Sequence, residues 1–207
     1  MSDARAEVLQ RVRSALGDAP AVPDVPRGYH APGTAAPDVD LFCERVADYK
    51  ATVHRTTPAR LAAVVAEVCA AHGAQRLAGT LELDGVELVA DDPPLDARAL
   101  DALDGVLTGC ALGIAETGTI VLDGAQRSGR RALTLVPDLH LCVVEEEQIV
   151  ASVPDAVAHL AEAAAAGRPI TLVSGPSATS DIELDRVEGV HGPRRLEVLV
   201  VAPAPRA

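Results

Sequence analysis

The sequence predicts an α/β domain with a mostly parallel or mixed sheet, and three observations support this prediction. Helical and extended hydrophobic patterns alternate along the 207 residues. Several strand-length runs are apolar at nearly every position, which is typical of strands covered on both faces. Hydrophobic residues make up 48% of the chain, which is more than a disordered chain contains and enough to form a core without disulfides.

The N-terminal part is predicted to form a helix followed by an extended arm. In residues 2–16 the apolar side chains fall on one helical stripe, namely Val8, Leu9, Val12 and Leu16. Residues 17–37 contain five prolines and no hydrophobic periodicity, which is typical of an extended connector. We therefore expect two parts: residues 1–37, the helix and proline-rich arm, and residues 38–207, the α/β domain. The arm is either flexible or a segment that docks on a partner.

The first half of the α/β domain is predicted to alternate helices with short strands. The best-defined helix begins at Thr57 and Pro58, because threonine can cap a helix and proline suits its first position, and Gly73 can end it. The apolar residues between them follow helical spacing. The predicted elements are helices at 38–49, 57–73 and 96–103 and strands at 52–56, 75–77 and 86–90.

The second half is predicted to supply most of the sheet. Apolar runs of strand length are bounded by glycine, proline and aspartate, which is typical of buried strands that end in turns. An alanine-rich helix interrupts them, with Asp155 in its first turn and Gly167 after its end. The predicted strands are 105–112, 119–122, 131–136, 140–144, 170–173 and 196–201, and the helix is 154–166.

Composition disfavours several classes of function. The formal net charge of −12 disfavours binding to nucleic acids and to anionic membranes. No apolar run approaches the ~20 residues of a membrane span, and the charged N-terminus does not resemble a signal peptide. The cysteines are Cys43, Cys69, Cys110 and Cys142, and no two form a CxxC pair for zinc or an iron–sulfur cluster. We therefore expect a cytoplasmic protein without a metal or cofactor of its own.

Three polar loops that contain glycine lie beside predicted strands, and ligands collect at strand ends in open α/β sheets. The first loop, residues 113–119, places Glu116 next to Thr117, Gly118 and Thr119. Glu116 is a candidate catalytic acid, base or nucleophile, and its three neighbours are candidate ligand-binding residues. The alternative is a hairpin turn with a solvated glutamate.

The second loop, residues 174–183, follows a predicted strand directly. Small hydroxyl groups and exposed backbone amides in this position can bind a phosphate or a carboxylate. The alternative is a capped turn at the start of a short helix. The candidate ligand-binding residues of this loop are Ser174, Gly175, Ser177, Thr179, Asp181 and Glu183.

The third loop, residues 188–194, places a histidine between glycines. His191 is the second candidate catalytic residue because its side chain titrates near neutrality and can carry a proton, and Gly192 is a candidate ligand-binding residue. The alternative is a surface histidine in a turn. Together with Asp181 and Glu183, His191 could be drawn as a metal site, but residue types alone do not predict one.

One basic cluster stands out in this acidic chain. It consists of Arg127, Arg130 and Arg131. These guanidinium groups either grip an anionic ligand or balance local charge. His140, at the start of a predicted strand, is interpreted as a structural residue.

Taken together, these segments resemble the LUD domain family of lactate-utilisation proteins (DUF162), in its LutC/YkgG branch. The likeness runs along nearly the whole chain and is strongest in the second and third loops, whose motifs are specific in combination and order. The segments that carry it are residues 8–16, Val25-Pro26-Arg27-Gly28-Tyr29, Ala115-Glu116-Thr117-Gly118-Thr119, residues 131–137 with His140, residues 174–183 and Gly189-Val190-His191-Gly192-Pro193.

The resemblance implies a three-layer α/β/α fold like that of the NagB/RpiA/CoA-transferase group. It also implies one subunit of a three-protein system that oxidises L-lactate to pyruvate, with a ligand-binding or an assembly role. The iron–sulfur clusters are then expected in the partner proteins, and a small carboxylate or phosphate is the expected ligand. The alternative is a stand-alone transferase or isomerase acting on a CoA thioester or a sugar phosphate, which rests on the fold alone.

Overall fold

The computed structural model describes residues 2–17, 24–25, 32–33, 35–176 and 192–204. The chain divides into two compact units, Met1–His30 and Ala31–Ala207. In the first unit, helix α1 (Ser2–Leu16) leaves its apolar stripe exposed, namely Val8, Leu9, Val12 and Leu16. Most of the predicted arm, residues 17–37, lies outside the described residues.

The described helices of the second unit are α2 (Val39–Asp48), α3 (Leu61–His72), α4 (Ala97–Asp101), α5 (Val153–His159) and α6 (Ala161–Ala165). Asp38 caps α2, because its carboxylate accepts a hydrogen bond from the Leu41 backbone N–H at 3.0 Å. Gly73 ends α3 in the left-handed conformation. The segment predicted as one helix at 154–166 is helical, but it is divided at Leu160 into α5 and α6. Hydrogen bonds continue across the division, because the Leu160 N–H donates to the Ala156 carbonyl at 3.0 Å and the Ala164 N–H donates to the Leu160 carbonyl at 2.9 Å. None of the described helices is long and apolar enough to cross a bilayer.

A six-stranded sheet forms the centre of this unit, and every neighbouring pair of strands is parallel. The strand order is β1 (Thr52–Thr56), β10 (Arg195–Val201), β7 (Leu139–Glu145), β4 (Gly105–Gly109), β2 (Leu77–Gly79) and β3 (Leu88–Val89). Strands β4, β7 and β10 are buried along nearly their whole length, which explains their near-continuous apolar sequences. The α/β class and the mostly parallel sheet are confirmed.

A second sheet of four strands goes beyond the prediction. Its order is β8 (Ile149–Val150), β5 (Leu112–Ile114), β6 (Thr119–Leu122) and β9 (Thr171–Val173), with β6 antiparallel to both of its neighbours. The run at 105–112, predicted as one strand, therefore divides between β4 and β5. The chain changes sheets at Cys110 and Ala111, where the Ala111 N–H donates to the Val121 carbonyl at 2.8 Å. Hydrophobicity does not reveal this change because both halves are buried.

The two faces of the large sheet are covered differently. Helix α3 covers one face, where Val65 belongs to the same apolar cluster as Leu199. The small sheet and α2 cover the other face, where Phe42 belongs to the same cluster as Val198. Helix α5 packs on the far side of the small sheet. A β-sheet thus shares the layer that the family resemblance assigned to helices.

The prediction of a strand at 131–136 is wrong. These residues form successive turns, in which the N–H groups of Leu133 and Val136 donate to carbonyls three or four residues earlier. Leu133 is buried in a cluster with Leu100 and Val106. The apolar residues of this segment therefore serve local packing and do not pair with a neighbouring strand.

Candidate functional site

The first two predicted loops meet at one edge of the small sheet. Strand β6 pairs antiparallel with β9, which places the turn before β6 beside the segment after β9. The Oγ1 atom of Thr119 lies 2.7 Å from Oγ1 of Thr117 and 2.8 Å from Oγ of Ser174. We call these three residues the hydroxyl cluster. Thr119 is buried and Ser174 is exposed. The cluster therefore presents hydroxyl donors and acceptors at the surface, and the buried hydroxyl of Thr119 holds them in place.

Two glycines hold this edge against the end of α2. Gly118 has a φ of +61°, and a Cβ atom there would lie 2.5 Å from the carbonyl carbon of Arg45. Gly175 has a φ of +84°, and its Cβ would lie 2.5 Å from the carbonyl oxygen of Tyr49. Glycine fits both positions because it tolerates a positive φ and lets backbones approach closely. The space beside Gly118, which we expected to admit a ligand, is filled by α2.

Glu116 lies on the turn between β5 and β6, and its side chain is exposed. The turn itself is held to the chain after β8. The Glu116 N–H donates to the Ala151 carbonyl at 3.1 Å, and the Ala115 N–H donates to the Val150 carbonyl at 2.9 Å. The carboxylate therefore projects into solvent from a fixed turn, one residue before the hydroxyl cluster.

Of the third loop, the structure describes residues 192–194. Pro176 and Gly192 approach each other, because a Cβ on Gly192 would lie 3.6 Å from the Pro176 carbonyl oxygen. The end of the third loop therefore lies beside the start of the second. The other candidate residues of these two loops lie outside the described residues, and they are Ser177, Thr179, Asp181, Glu183 and His191.

The arginines of the basic cluster all have partners within the chain. Arg127 donates to Glu145 at 2.9 Å. Arg130 donates through two nitrogens to Asp91, at 2.5 and 2.7 Å, and this contact lowers the pKa of the Asp91 carboxyl. Arg131 donates to the carbonyl and hydroxyl oxygens of Thr134 at 3.0 and 2.9 Å. These contacts favour the interpretation that the arginines balance local charge and support local structure, and they disfavour binding of an anionic ligand.

A buried polar group that the hydrophobic pattern does not indicate lies between β4 and β7. Cys110 and Cys142 are almost completely buried. The neighbouring Cys110 thiol, together with His140 and Thr108, lowers the pKa of Cys142, while the same neighbour and burial raise the pKa of Cys110. His140 Nε2 lies 2.8 Å from Thr108 Oγ1, in agreement with its structural interpretation. Only the register of the two strands brings these residues together.

A buried carboxylate was also missed. Glu197 on β10 is 5% exposed. Its two oxygens lie 2.7 Å from Nε2 of His54 on β1 and 2.8 Å from Nε2 of His72 on α3. The only signal in the sequence is a glutamate within a predicted apolar strand, which indicates a partnered buried charge. Within the described ranges, no group of three or more histidine, cysteine, aspartate or glutamate residues could hold a metal ion.

The chain is similar to proteins of one family. The family model of the LUD domain matches residues 96–201, which include all three loops. Lactate utilization protein C of Deinococcus radiodurans is 44% identical over 208 residues, covering 97% of this chain and 96% of that protein. Uncharacterized protein YkgG of Escherichia coli K12 is 38% identical over 93 residues, covering 43% of this chain and 40% of that protein. A crystal structure of a DUF162 family protein from Deinococcus radiodurans matches with a TM-score of 0.67 and 40% identity, covering 78% of this chain and 94% of that one.

Proposed function

The chain belongs to the LUD domain family, and because of this membership we propose that it is a cytoplasmic subunit of an iron–sulfur system that oxidises L-lactate to pyruvate. The observation that carries the proposal is the 44% identity, over 97% of the chain, to a protein named Lactate utilization protein C. Iron–sulfur partner proteins would accept the two electrons that leave lactate. This chain would contribute the binding of lactate and the handling of its protons.

The hydroxyl cluster is the proposed binding position for lactate. Thr119 is buried and hydrogen-bonds both Thr117 and Ser174, so the outer two hydroxyls are held in place. Lactate carries a carboxylate and a hydroxyl group, and Ser and Thr hydroxyls can donate to the first and accept from the second. The backbone N–H of Gly175 follows directly in the chain and can add one donor.

Glu116 is proposed to accept a proton during the oxidation. Its carboxylate stands on a fixed turn one residue before Thr117. Oxidation of lactate to pyruvate releases two protons with the two electrons, so a proton acceptor near the substrate hydroxyl is required. His191 in the third loop is proposed as the acceptor of the second proton.

Omitting this chain from a reconstituted system should abolish lactate-dependent reduction of a dye, and adding it back should restore the rate. The experiment combines the two iron–sulfur partner proteins with and without the chain. A second sample lacks residues 1–37 and is also tested for co-purification, because the exposed apolar stripe of α1 is the proposed contact with the partners. Equal rates without this chain would overturn the subunit proposal and would favour a screen of phosphorylated and CoA-linked ligands.

Glu116→Gln should lower the turnover of the reconstituted system by at least ~10-fold, because the amide keeps the shape but cannot accept a proton. The matched control is Glu87→Gln, which changes an exposed glutamate outside the loops. Steady-state kinetics with L-lactate separate turnover from KM. A rate equal to that of the control would remove Glu116 from the site.

A further inference from the structure

A cavity of about 810 Å³ opens on the opposite side of the large sheet from the small sheet. It lies where three neighbouring parallel strands end: Val143 and Glu145 come from the end of β7, Val201 from the end of β10, and Leu61 from the helix that follows β1. The carboxyl ends of parallel strands are the usual place for ligands in open α/β sheets. The volume lies within the range of small-molecule sites.

The walls and the rim of this cavity differ in chemistry. Its walls include the aliphatic side chains of Leu61, Leu83, Val143 and Val201. Its rim carries the consecutive glutamates 145–147, and these are the only charged side chains among the described residues that line it. A ligand that fits both features combines a hydrocarbon body with a positive charge.

The rim is held in a fixed conformation and keeps a negative charge. The side chain of Gln148 accepts a hydrogen bond from the Glu145 N–H at 3.0 Å and anchors the turn. Arg127 pairs with Glu145 at 2.9 Å, and Arg55 pairs with Glu146 at 3.4 Å. Glu147 is exposed. Among the residues that the structure describes, three carboxylates against two guanidinium groups leave the rim negative.

From the apolar walls and the glutamate rim, we propose that this cavity binds a small organic cation, an ammonium group on an aliphatic body. The hydrocarbon part would lie against the leucine and valine side chains, and the ammonium group would lie at the rim near Glu147. The same charge pattern repels lactate and other small anions. The inference therefore does not rest on the proposed function, whose site is lined by different residues.

Two probes with the same hydrocarbon chain and opposite charges test the proposal on the full chain. n-Octylammonium and n-octanoate are titrated while the methyl NMR signals of Leu61, Leu83, Val143 and Val201 are followed. Both probes bury the same hydrocarbon chain, so the difference between their affinities reports the charge of the rim. We expect octylammonium to bind about tenfold more tightly at low salt, with the preference falling as ionic strength rises.

Glu147→Lys should reverse this preference, because it puts a positive charge at the exposed part of the rim. Glu87→Lys is the matched control, since it makes the same charge change at an exposed glutamate outside the cavity. Both positions are exposed, so neither change disturbs the core. Equal affinities for the two probes, signal changes outside the cavity, or the same effect from both variants would overturn the proposal.

Discussion

Phe42→Ala should lower the free energy of unfolding by about 3–5 kcal/mol, which is the usual cost of removing a buried phenylalanine ring. Phe42 is fully buried between α2 and the two sheets. A Cβ atom on Gly113 would lie 2.9 Å from its Cε2 atom, so the ring fills the space that this glycine of β5 leaves open. The chain contains one phenylalanine and no tryptophan, and Phe42 is the largest fully buried side chain among the described residues.

Urea denaturation followed by far-UV circular dichroism measures this loss. The matched control is Phe42→Leu, which keeps most of the volume and should cost less than about 1.5 kcal/mol. Equal costs for the two variants would show that α2 is not anchored by the ring. Because α2 supports the turn that holds Gly118, the alanine variant should also weaken the proposed binding of lactate.

Gly118→Ala should lower the free energy of unfolding by about 3 kcal/mol, through two separate effects. An alanine at a φ of +61° is strained, which costs on the order of 1 kcal/mol. Its Cβ would also lie 2.5 Å from the Arg45 backbone, which a flexible side chain cannot relieve. Overpacking of this kind adds about 1–3 kcal/mol.

Gly73→Ala separates the two effects. Gly73 has nearly the same φ, +66°, but nothing lies within 4 Å of the position that its Cβ would take. We therefore expect this control to lose only the strain contribution, about 1 kcal/mol. The difference between the two variants measures how closely the hairpin turn approaches α2. A Gly118 variant no less stable than the Gly73 variant would contradict the packing described here.

The candidate site was only partly predictable. The glycines and hydroxyl residues of the first two loops indicated turns at strand ends, and both loops do follow or precede strands. Their meeting depends on the pairing of β6 with β9, which joins residues as far apart in the chain as Ile120 and Val173. The pairing of Glu197 with His54 and the approach of Cys110 to Cys142 depend in the same way on strand register, and the contact of Glu197 with His72 depends on the packing of α3 against the sheet.

Local sequence accounts for the α/β class, for the ends of the helices at residues such as Asp38 and Gly73, and for the positions of most strands. These features follow from local causes, namely capping, glycine conformation and hydrophobic periodicity. Three features became visible only in the folded chain. The run at 105–112 divides between two sheets, and residues 131–136 form turns and do not pair with a neighbouring strand. Helix α2 fills the space beside Gly118. Each of these depends on residues distant in the chain, because the choice of strand partner and the close approach of backbones are properties of the packed core and not of a local segment.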